Sequence, residues 1–220
     1  MNVTFEMVKT NPDVRTYITQ ADASLIALGY TEHSFAHVTK CAEAASWILE
    51  QLEFSPREQE LAKIAGFMHD IGNLVNRHGH AANGAAMAFR ILEKMGMEAA
   101  DIATVITAIG HHDDSTAFPV NAVAAALILA DKTDVRRSRV RNRDTIKFDI
   151  HDRVNYAVEQ ADLAMDKHNA TITLSLSINT EVCAIMDYFE IFLDRMLLCR
   201  KAAEFFKLTF CLDVNGQRLL

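Results

Sequence analysis

Up to about residue 168, apolar positions recur at spacings of three and four, the pattern of amphipathic helices. The clearest stripe covers 38–52, and further helices are predicted over 81–95, 98–110, 121–136 and 150–167. One helix has a defined start at Ser55-Pro56-Arg57-Glu58, because Ser is a favoured N-cap, Pro fits the first turn and Glu completes a capping box. We expect that helix to continue to Gly72.

The pattern changes after residue 168. Residues 171–178 alternate polar and apolar side chains and include β-branched residues, which predicts a half-buried strand. A helix over about 180–205, a second strand over 207–214 and an Asn215-Gly216 turn follow. The predicted fold is mainly α, with a helical core over 1–168 and a β-α-β appendage over 169–220. Because a strand pair alone is marginally stable, we expect the appendage to pack on the core or at a homodimer interface.

Composition narrows the class of protein. The chain has 220 residues, of which 50% are hydrophobic and 23% charged, as in an ordinary globular protein with a substantial core. A net charge of -7 argues against a nucleic-acid polymer as partner. No leader peptide is apparent, and the longest apolar run, 122–130, is too short to span a bilayer, so a cytoplasmic location without membrane association is expected. The four cysteines are widely spaced and predict reduced core thiols.

Two aspartates in apolar helical stretches need partners. His69-Asp70 lies at the end of the helix that starts at Ser55, and Asp131 follows the apolar run 122–130. Burying an ionised carboxylate is costly unless it is paired or binds a metal. For Asp131 a salt bridge to Lys132 or to a later arginine is the alternative, although adjacent helical residues point about 100° apart.

Histidines cluster around these aspartates. Seven of the nine lie between positions 33 and 112. His33 and His37 are four residues apart and share a helix face if a helix begins near Thr31. His111-His112 follows an apolar helix that Gly110 would end; the pair could turn towards one site or form a plain polar C-terminus, and both interpretations stay open.

The ordered set His37, His69-Asp70, His80, His111-His112 and Asp131 resembles the HD-domain metal-dependent phosphohydrolase superfamily over roughly residues 20–145. The segment from His80 to Ala85 is similar to the family's H-x-x-x-G-A motif. The doubled histidine is closest to the binuclear branch that includes the HD-GYP phosphodiesterases, although Gly-Tyr-Pro is absent from 113–119. Relatives often carry a lysine after H-D-I-G, where this chain has Asn73.

The resemblance implies a binuclear metal site. His37, His69, Asp70 and Asp131 would hold one metal, and Asp70 would bridge to a second held by His80, His111 and His112. Mixed histidine and carboxylate ligation suits divalent transition metals better than Mg or Ca. Fe and Mn are favoured, with Ni, Co and Zn as alternatives. His33 is a candidate ligand for a third metal or for a substrate phosphate.

The activity implied is that of a metal-dependent phosphohydrolase, a phosphatase or phosphodiesterase. It would cleave a small phosphoester, with a nucleotide as one candidate, through a hydroxide formed between two metals. We expect Asp70, His78 and Lys132 to act in catalysis, and His33, Arg136 and Arg137 to bind substrate.

Two other functions and one structural alternative stay open. The chain could be an HD-fold diiron oxygenase, or a non-catalytic metal- or nucleotide-binding sensor. The arginines expected to bind substrate belong to a basic run that could instead be a solvated helix face. That run consists of Lys132, Arg136, Arg137, Arg139, Arg141 and Arg143.

Overall fold

A computed structural model describes residues 2–141 and 149–220 of the chain. It divides into two compact units, Met1–Asp131 and Lys132–Leu220. The last arginine of the basic run, Arg143, lies outside the described residues. Within the described ranges, no helix has the length and apolar character needed to cross a membrane.

The first unit is built from helices. They are α1 (Phe5–Thr10), α2 (Pro12–Ala27), α3 (Phe35–Gln51), α4 (Pro56–Met68), α5 (His80–Lys94), α6 (Ala99–Gly110) and α7 (Ala122–Lys132), whose last residue belongs to the second unit. A 3-10 helix, Ile71–Leu74, follows α4. The mainly α class predicted from the sequence is confirmed.

Helices α3 and α4 pack closely, and this contact brings His37 near His69. A Cβ atom on Gly66 of α4 would come within 2.7 Å of the Cα atom of Ala42 on α3. Glycine therefore allows the two backbones to approach. Apolar side chains of the same two helices, including Ile48 and Phe67, are fully buried, and their burial stabilises the contact.

The predicted start of α4 is confirmed, whereas its predicted end at Gly72 is wrong. Ser55 Oγ accepts from the Glu58 amide, and Glu58 Oε2 accepts from the Ser55 amide. The helix stops at Met68, and Asp70 adopts φ -95° and ψ 0° before the 3-10 helix. Since neighbouring side chains of an unbroken helix diverge by about 100°, this break allows His69 and Asp70 to face the same site.

Two other helix bounds differ from prediction. Helix α3 begins at Phe35 with Ser34 as N-cap, so His33 precedes the helix and does not share its face with His37. Glu32 accepts from the Ser34 amide, a local bond that competes with an earlier helix start. Helix α7 ends at Lys132 instead of continuing to 136. Beyond it, Arg139 Nη1 donates to the backbone carbonyl of Asp134, a group that a continuing helix would use internally.

In the described residues of the second unit, two α-helices combine with a four-stranded sheet. Its elements are α8 (Ile150–Ala157), β1 (Val158–Asp166), β2 (Thr171–Ile178), α9 (Ile185–Phe205), β3 (Thr209–Val214) and β4 (Gln217–Arg218), with a short 3-10 helix at Arg137–Arg139. The strand order is β1-β2-β3-β4. Strands β2 and β3 are parallel and joined by α9, which confirms the predicted β-α-β unit.

The helix predicted over 150–167 is wrong in its second half, because β1 begins at Val158. This strand pairs antiparallel with β2, placing Leu163 opposite Leu174 and Met165 opposite Ile172. Pairing with a partner strand outweighs local helix propensity here. The compact units divide between 131 and 132. The domain boundary expected after residue 168 stays a prediction.

Candidate metal centre

Six side chains of metal-binding types converge in the first unit from five segments of the chain. They are His37 on α3, His69 and Asp70 after α4, His80 at the start of α5, His112 after α6 and Asp131 on α7. The four imidazoles are at most 2% exposed. Such a concentration of polar groups requires compensating interactions in a helical core.

The two carboxylate oxygens of Asp70 face different histidines. Its Oδ2 lies 3.2 Å from Nε2 of His69 and 3.6 Å from Nε2 of His37. Its Oδ1 lies 3.7 Å from Nε2 of His80 and 3.9 Å from Nε2 of His112. The carboxylate therefore stands between two pairs of imidazoles.

The donor atoms fall into two groups that adjoin at His69, since donor atoms of His69, Asp70 and His112 also lie within 4.8 Å of one another. In the first donor group, His37, His69 and Asp131, the aspartate Oδ1 lies 3.3 Å and 3.7 Å from the two Nε2 atoms. In the second donor group, His80 and His112, the Nε2 atoms are 3.1 Å apart. Two like donor nitrogens this close require a shared proton or a shared cation.

Backbone carbonyls set the tautomers of three of these histidines. The Nδ1 atoms of His69, His80 and His112 lie 2.8, 3.0 and 2.6 Å from the carbonyl oxygens of Gly66, Arg77 and Ile109. A carbonyl oxygen can only accept, so each Nδ1 carries the proton and donates. Each neutral ring then presents an unprotonated Nε2 to the centre, the state that binds metal.

Two atoms at the centre lack hydrogen-bond partners within the described part of the chain. Nε2 of His69 and Oδ2 of Asp70 are both buried and unpartnered. An unmade bond at a buried polar atom is destabilising, and a cation between the two would satisfy both. Because the set consists of imidazole nitrogens and carboxylate oxygens, these residues fit a divalent transition metal.

The electrostatic environment supports the same interpretation. Burial by itself would raise the pKa of Asp70, but the neighbouring His69, His33 and His37 hold that pKa well below its usual range. Burial lowers the pKa of His69, yet Asp70 and Asp131 raise it overall. For His80, burial and the nearby Arg77 cation lower the pKa, so this ring resists protonation.

The remaining predicted ligand and the candidate third-metal residue lie at the edge of the centre. His111 caps α6 and makes no ion pair or hydrogen bond with either donor group in the described residues; its ligand role stays a prediction. His33 Nδ1 donates to the Thr31 carbonyl over 2.7 Å, and its ring centroid is 5.5 Å from that of His37. The two roles considered for His33 stay predictions.

Of the other predicted catalytic and substrate-binding residues, one lies in the first unit and three lie in the second. His78 is exposed and lines a cavity together with Arg77. Lys132, Arg136 and Arg137 belong to the second unit. There Arg136 pairs with Asp134 at 2.9 Å, and Arg137 with Glu159 at 3.0 Å. The expected roles of these four residues stay predictions.

Sequence reasoning noted Asn73 only as a departure from the family's lysine, and it missed Arg77 and Asp113. Asn73 Nδ2 donates to Oδ1 of Asp70 over 2.8 Å. Arg77 Nη1 donates to Asn73 Oδ1 over 3.2 Å and lies 3.4 Å from Nε2 of His80. Asp113 Oδ1 is 3.9 Å from the same nitrogen. The four-residue spacing of Asn73 and Arg77 was the available signal for their contact. Using that signal would have required knowing how the chain turns after α4.

Cys41 is also close to the first donor group. Its Sγ lies 3.6 Å from Nδ1 and 3.7 Å from Nε2 of His37. A sulfur nearly equidistant from both nitrogens lies beside the ring and off the in-plane lone pair of Nε2, so we do not count it as a ligand. All four cysteines are free and buried, as predicted for core thiols.

Comparison with known proteins identifies a family. The model of a family described as HD domain matches residues 34–190, well over half of the 220-residue chain. No curated protein matches the chain. All six converging side chains fall inside the matched range.

Proposed function

The chain belongs to the HD-domain family, and from this premise we propose that it is a metal-dependent phosphohydrolase that cleaves a small phosphoester at a binuclear site. The observation that carries the proposal is the orientation of Asp70, whose Oδ2 faces His37 and His69 while its Oδ1 faces His80 and His112. A carboxylate divided between two sets of nitrogens suits a bridging ligand.

Each of the two donor groups would hold one metal ion. The first group with Oδ2 of Asp70 offers four donors, and the second with Oδ1 offers three. A site with three protein donors retains positions for water and substrate oxygens, which is typical of catalytic centres. When bound, two divalent metals supply Lewis-acid activation of water and neutralise charge on phosphoryl oxygens.

The protein's own contribution is orientation and exclusion of water. Carbonyls of Gly66, Arg77 and Ile109 hold three imidazoles with Nε2 inward. The Asn73 amide restrains the Asp70 carboxylate. Burial lowers the local dielectric, which strengthens each charge interaction with a substrate phosphate.

Metal content and ester hydrolysis test the proposal together. Protein purified without chelator should hold close to two metals per chain. After loading with Mn²⁺ or Fe²⁺ it should hydrolyse p-nitrophenyl phosphate or its bis-ester. Asp70→Asn, which keeps the side-chain shape, should lower both stoichiometry and turnover, whereas Asp114→Asn at an exposed position should leave both unchanged.

Two results would contradict the proposal. Oxygen consumption by iron-loaded protein without ester hydrolysis would identify an oxygenase. Tight metal or nucleotide binding without turnover of any ester, under each metal, would identify a sensor. Circular dichroism of Asp70→Asn establishes that any loss comes from the centre and not from unfolding.

A further inference from the structure

An open cavity of about 540 Å³ lies beside the second donor group. Its volume is within the range of small-molecule sites, about 300–1,000 Å³. The lining residues that matter here are Leu28, Tyr30, Arg77, His78, Gly79 and Asp113. Two of them reach the centre, since Arg77 and Asp113 lie 3.4 Å and 3.9 Å from Nε2 of His80.

Arg77 provides a cation at the inner end of this cavity. Its Nη1 is anchored on Asn73 Oδ1 at 3.2 Å. A guanidinium has five donors in a planar fork, and the contacts of Nη1 with Asn73 and His80 leave the donors of Nη2 and Nε for a ligand. Arginine recognises phosphate with paired charge-assisted hydrogen bonds. His78, exposed on the same wall, offers a further donor.

The outer part of the cavity is apolar and aromatic. Tyr30 is 44% exposed and Leu28 is 63% exposed. The Arg77 guanidinium lies over the Tyr30 ring, 5.6 Å from its centroid, so one face of the ring is turned towards the cation and the other is left for a ligand. Exposed aromatic faces bind planar rings by stacking.

The cavity also carries one carboxylate, that of Asp113. A carboxylate repels a phosphate but accepts hydrogen bonds from hydroxyl groups. The charges therefore favour one orientation of a ligand, with its phosphate towards Arg77 and its hydroxyls towards Asp113.

We propose that this cavity binds the substrate, with Arg77 holding the phosphoryl group and Tyr30 stacking on a planar ring attached to it. The ligand class is an organic phosphate that carries an aromatic or heteroaromatic ring. This inference rests on the proposed phosphohydrolase function and specifies its substrate class.

Phosphate binding tests the role of Arg77. Isothermal titration of metal-loaded protein with inorganic phosphate compares wild type, Arg77→Gln and the control Arg90→Gln. Arg90 is an exposed arginine of the same unit, paired with Glu93 at 2.9 Å. Loss of a charge-assisted bond should weaken phosphate binding about 10- to 100-fold in Arg77→Gln only.

Metal content, measured on the same samples, should be no lower in Arg77→Gln than in wild type. A purely structural role of Arg77 through Asn73 would lower metal content and would not weaken phosphate binding at equal metal occupancy. Unchanged phosphate affinity in Arg77→Gln, or absence of phosphate binding by wild type, would overturn the proposal.

The aromatic wall has its own test. Tyr30→Ala should weaken inhibition by phenyl phosphate about tenfold and leave inhibition by methyl phosphate unchanged, since only the former has a ring to stack. Tyr17→Ala, at a half-buried tyrosine of α2, serves as control. Equal effects on both phosphates would contradict stacking on Tyr30.

These outcomes separate the two proposals. Wild-type hydrolysis with normal phosphate binding by Arg77→Gln would leave the phosphohydrolase standing and reject the cavity assignment. An inactive wild type would reject the phosphohydrolase, and titration with inorganic phosphate and with phenyl phosphate would still decide whether the cavity binds organic phosphates.

Discussion

The side-chain amide nitrogen of Asn73, Nδ2, donates to Oδ1 of Asp70 over 2.8 Å and to the backbone carbonyl of Asp70 over 3.0 Å. Asn73 therefore links the Asp70 carboxylate to the backbone of the same residue. Oδ1 is the oxygen that faces His80 and His112. The bond keeps Asp70 from rotating out of its position between the two donor groups. Asn73, at the place where HD-domain relatives often carry a lysine, therefore orients the Asp70 carboxylate.

Asn73→Ala should therefore lower metal affinity about 10- to 100-fold, the usual effect of losing a hydrogen bond to a metal ligand. Competition with a chelator of known affinity measures the change. Asn83→Ala, one turn beyond His80 on α5, removes the same amide from a side chain without a hydrogen bond in the described residues and serves as control. Equal affinities in wild type and Asn73→Ala would show that Asp70 needs no restraint.

Arg77→Met should strengthen metal binding at the second donor group. The Arg77 guanidinium lies 3.4 Å from Nε2 of His80, and its positive charge opposes protonation of that ring. The same positive charge repels a metal cation bound to that ring. Asn73 retains both bonds to Asp70 without Arg77. Metal titration should show tighter binding of one of two ions, and weaker binding would mean that the anchoring of Asn73 dominates.

Gly72→Ala should destabilise the protein and release metal. A Cβ atom there would lie 2.0 Å from the His80 carbonyl oxygen and 2.4 Å from the Gly84 amide nitrogen, both backbone atoms that cannot rotate away. Overpacking of this kind costs about 1–3 kcal/mol or more. Urea unfolding and metal content measure both effects.

Gly110→Ala is the matched control for that substitution. Its Cβ atom would meet only the Ala85 Cβ at 3.8 Å, an ordinary contact. Alanine also favours helix over glycine, so stability should stay level or rise slightly. Similar losses in both variants would mean that the tight turn at Gly72 is not responsible.

The stability of metal-free protein should fall as pH rises through the pKa of His69. Although burial lowers this pKa, Asp70 and Asp131 raise it above the ordinary value of 6.5. Protonated His69 thus stabilises the fold fully below the unfolded-state pKa, and that contribution disappears above the folded-state pKa. Melting temperatures in chelator at pH 6 and pH 8 measure the loss.

His69→Gln is the reference for this pH dependence. The difference in melting temperature between wild type and variant should shrink at the higher pH. Metal-loaded protein should show the opposite trend, because a metal replaces the proton and binds better as pH rises. A constant difference between wild type and variant would contradict the raised pKa.

Asn215→Ala should destabilise the second unit by about 1–3 kcal/mol, as expected for two lost hydrogen bonds and a strained backbone. The Asn215 side chain accepts from the Ile178 amide at 2.8 Å and donates to the Ile178 carbonyl at 3.0 Å. Its φ is 51°, in the left-handed region. Asn215→Gly removes the bonds but tolerates that φ, so it should cost less; equal losses in chemical unfolding would exclude a backbone contribution.

The start of α4 and the donor types were predictable from the sequence alone, because a capping box and residue types are local properties. Ser55 with Glu58 marked the start of α4, and His37, His69, Asp70, His80, His112 and Asp131 were all named as ligands. Strand β1 was not predictable, since Leu163 and Met165 acquire their partners from β2. The roles of Arg77 and Asp113 depended on how the chain turns between elements.

By itself, then, the sequence determined a mainly helical HD-domain chain with a set of histidines and aspartates that could hold metal, because residue types and short-range spacing carry that information. Only the tertiary structure decided how Asp70 is used. Helix α4 ends at Met68, the glycine at position 72 allows the backbone of α5 to approach closely, and Asn73 holds the Asp70 carboxylate between the two donor groups. These features arise from contacts between separate elements, and no periodicity along the chain encodes them.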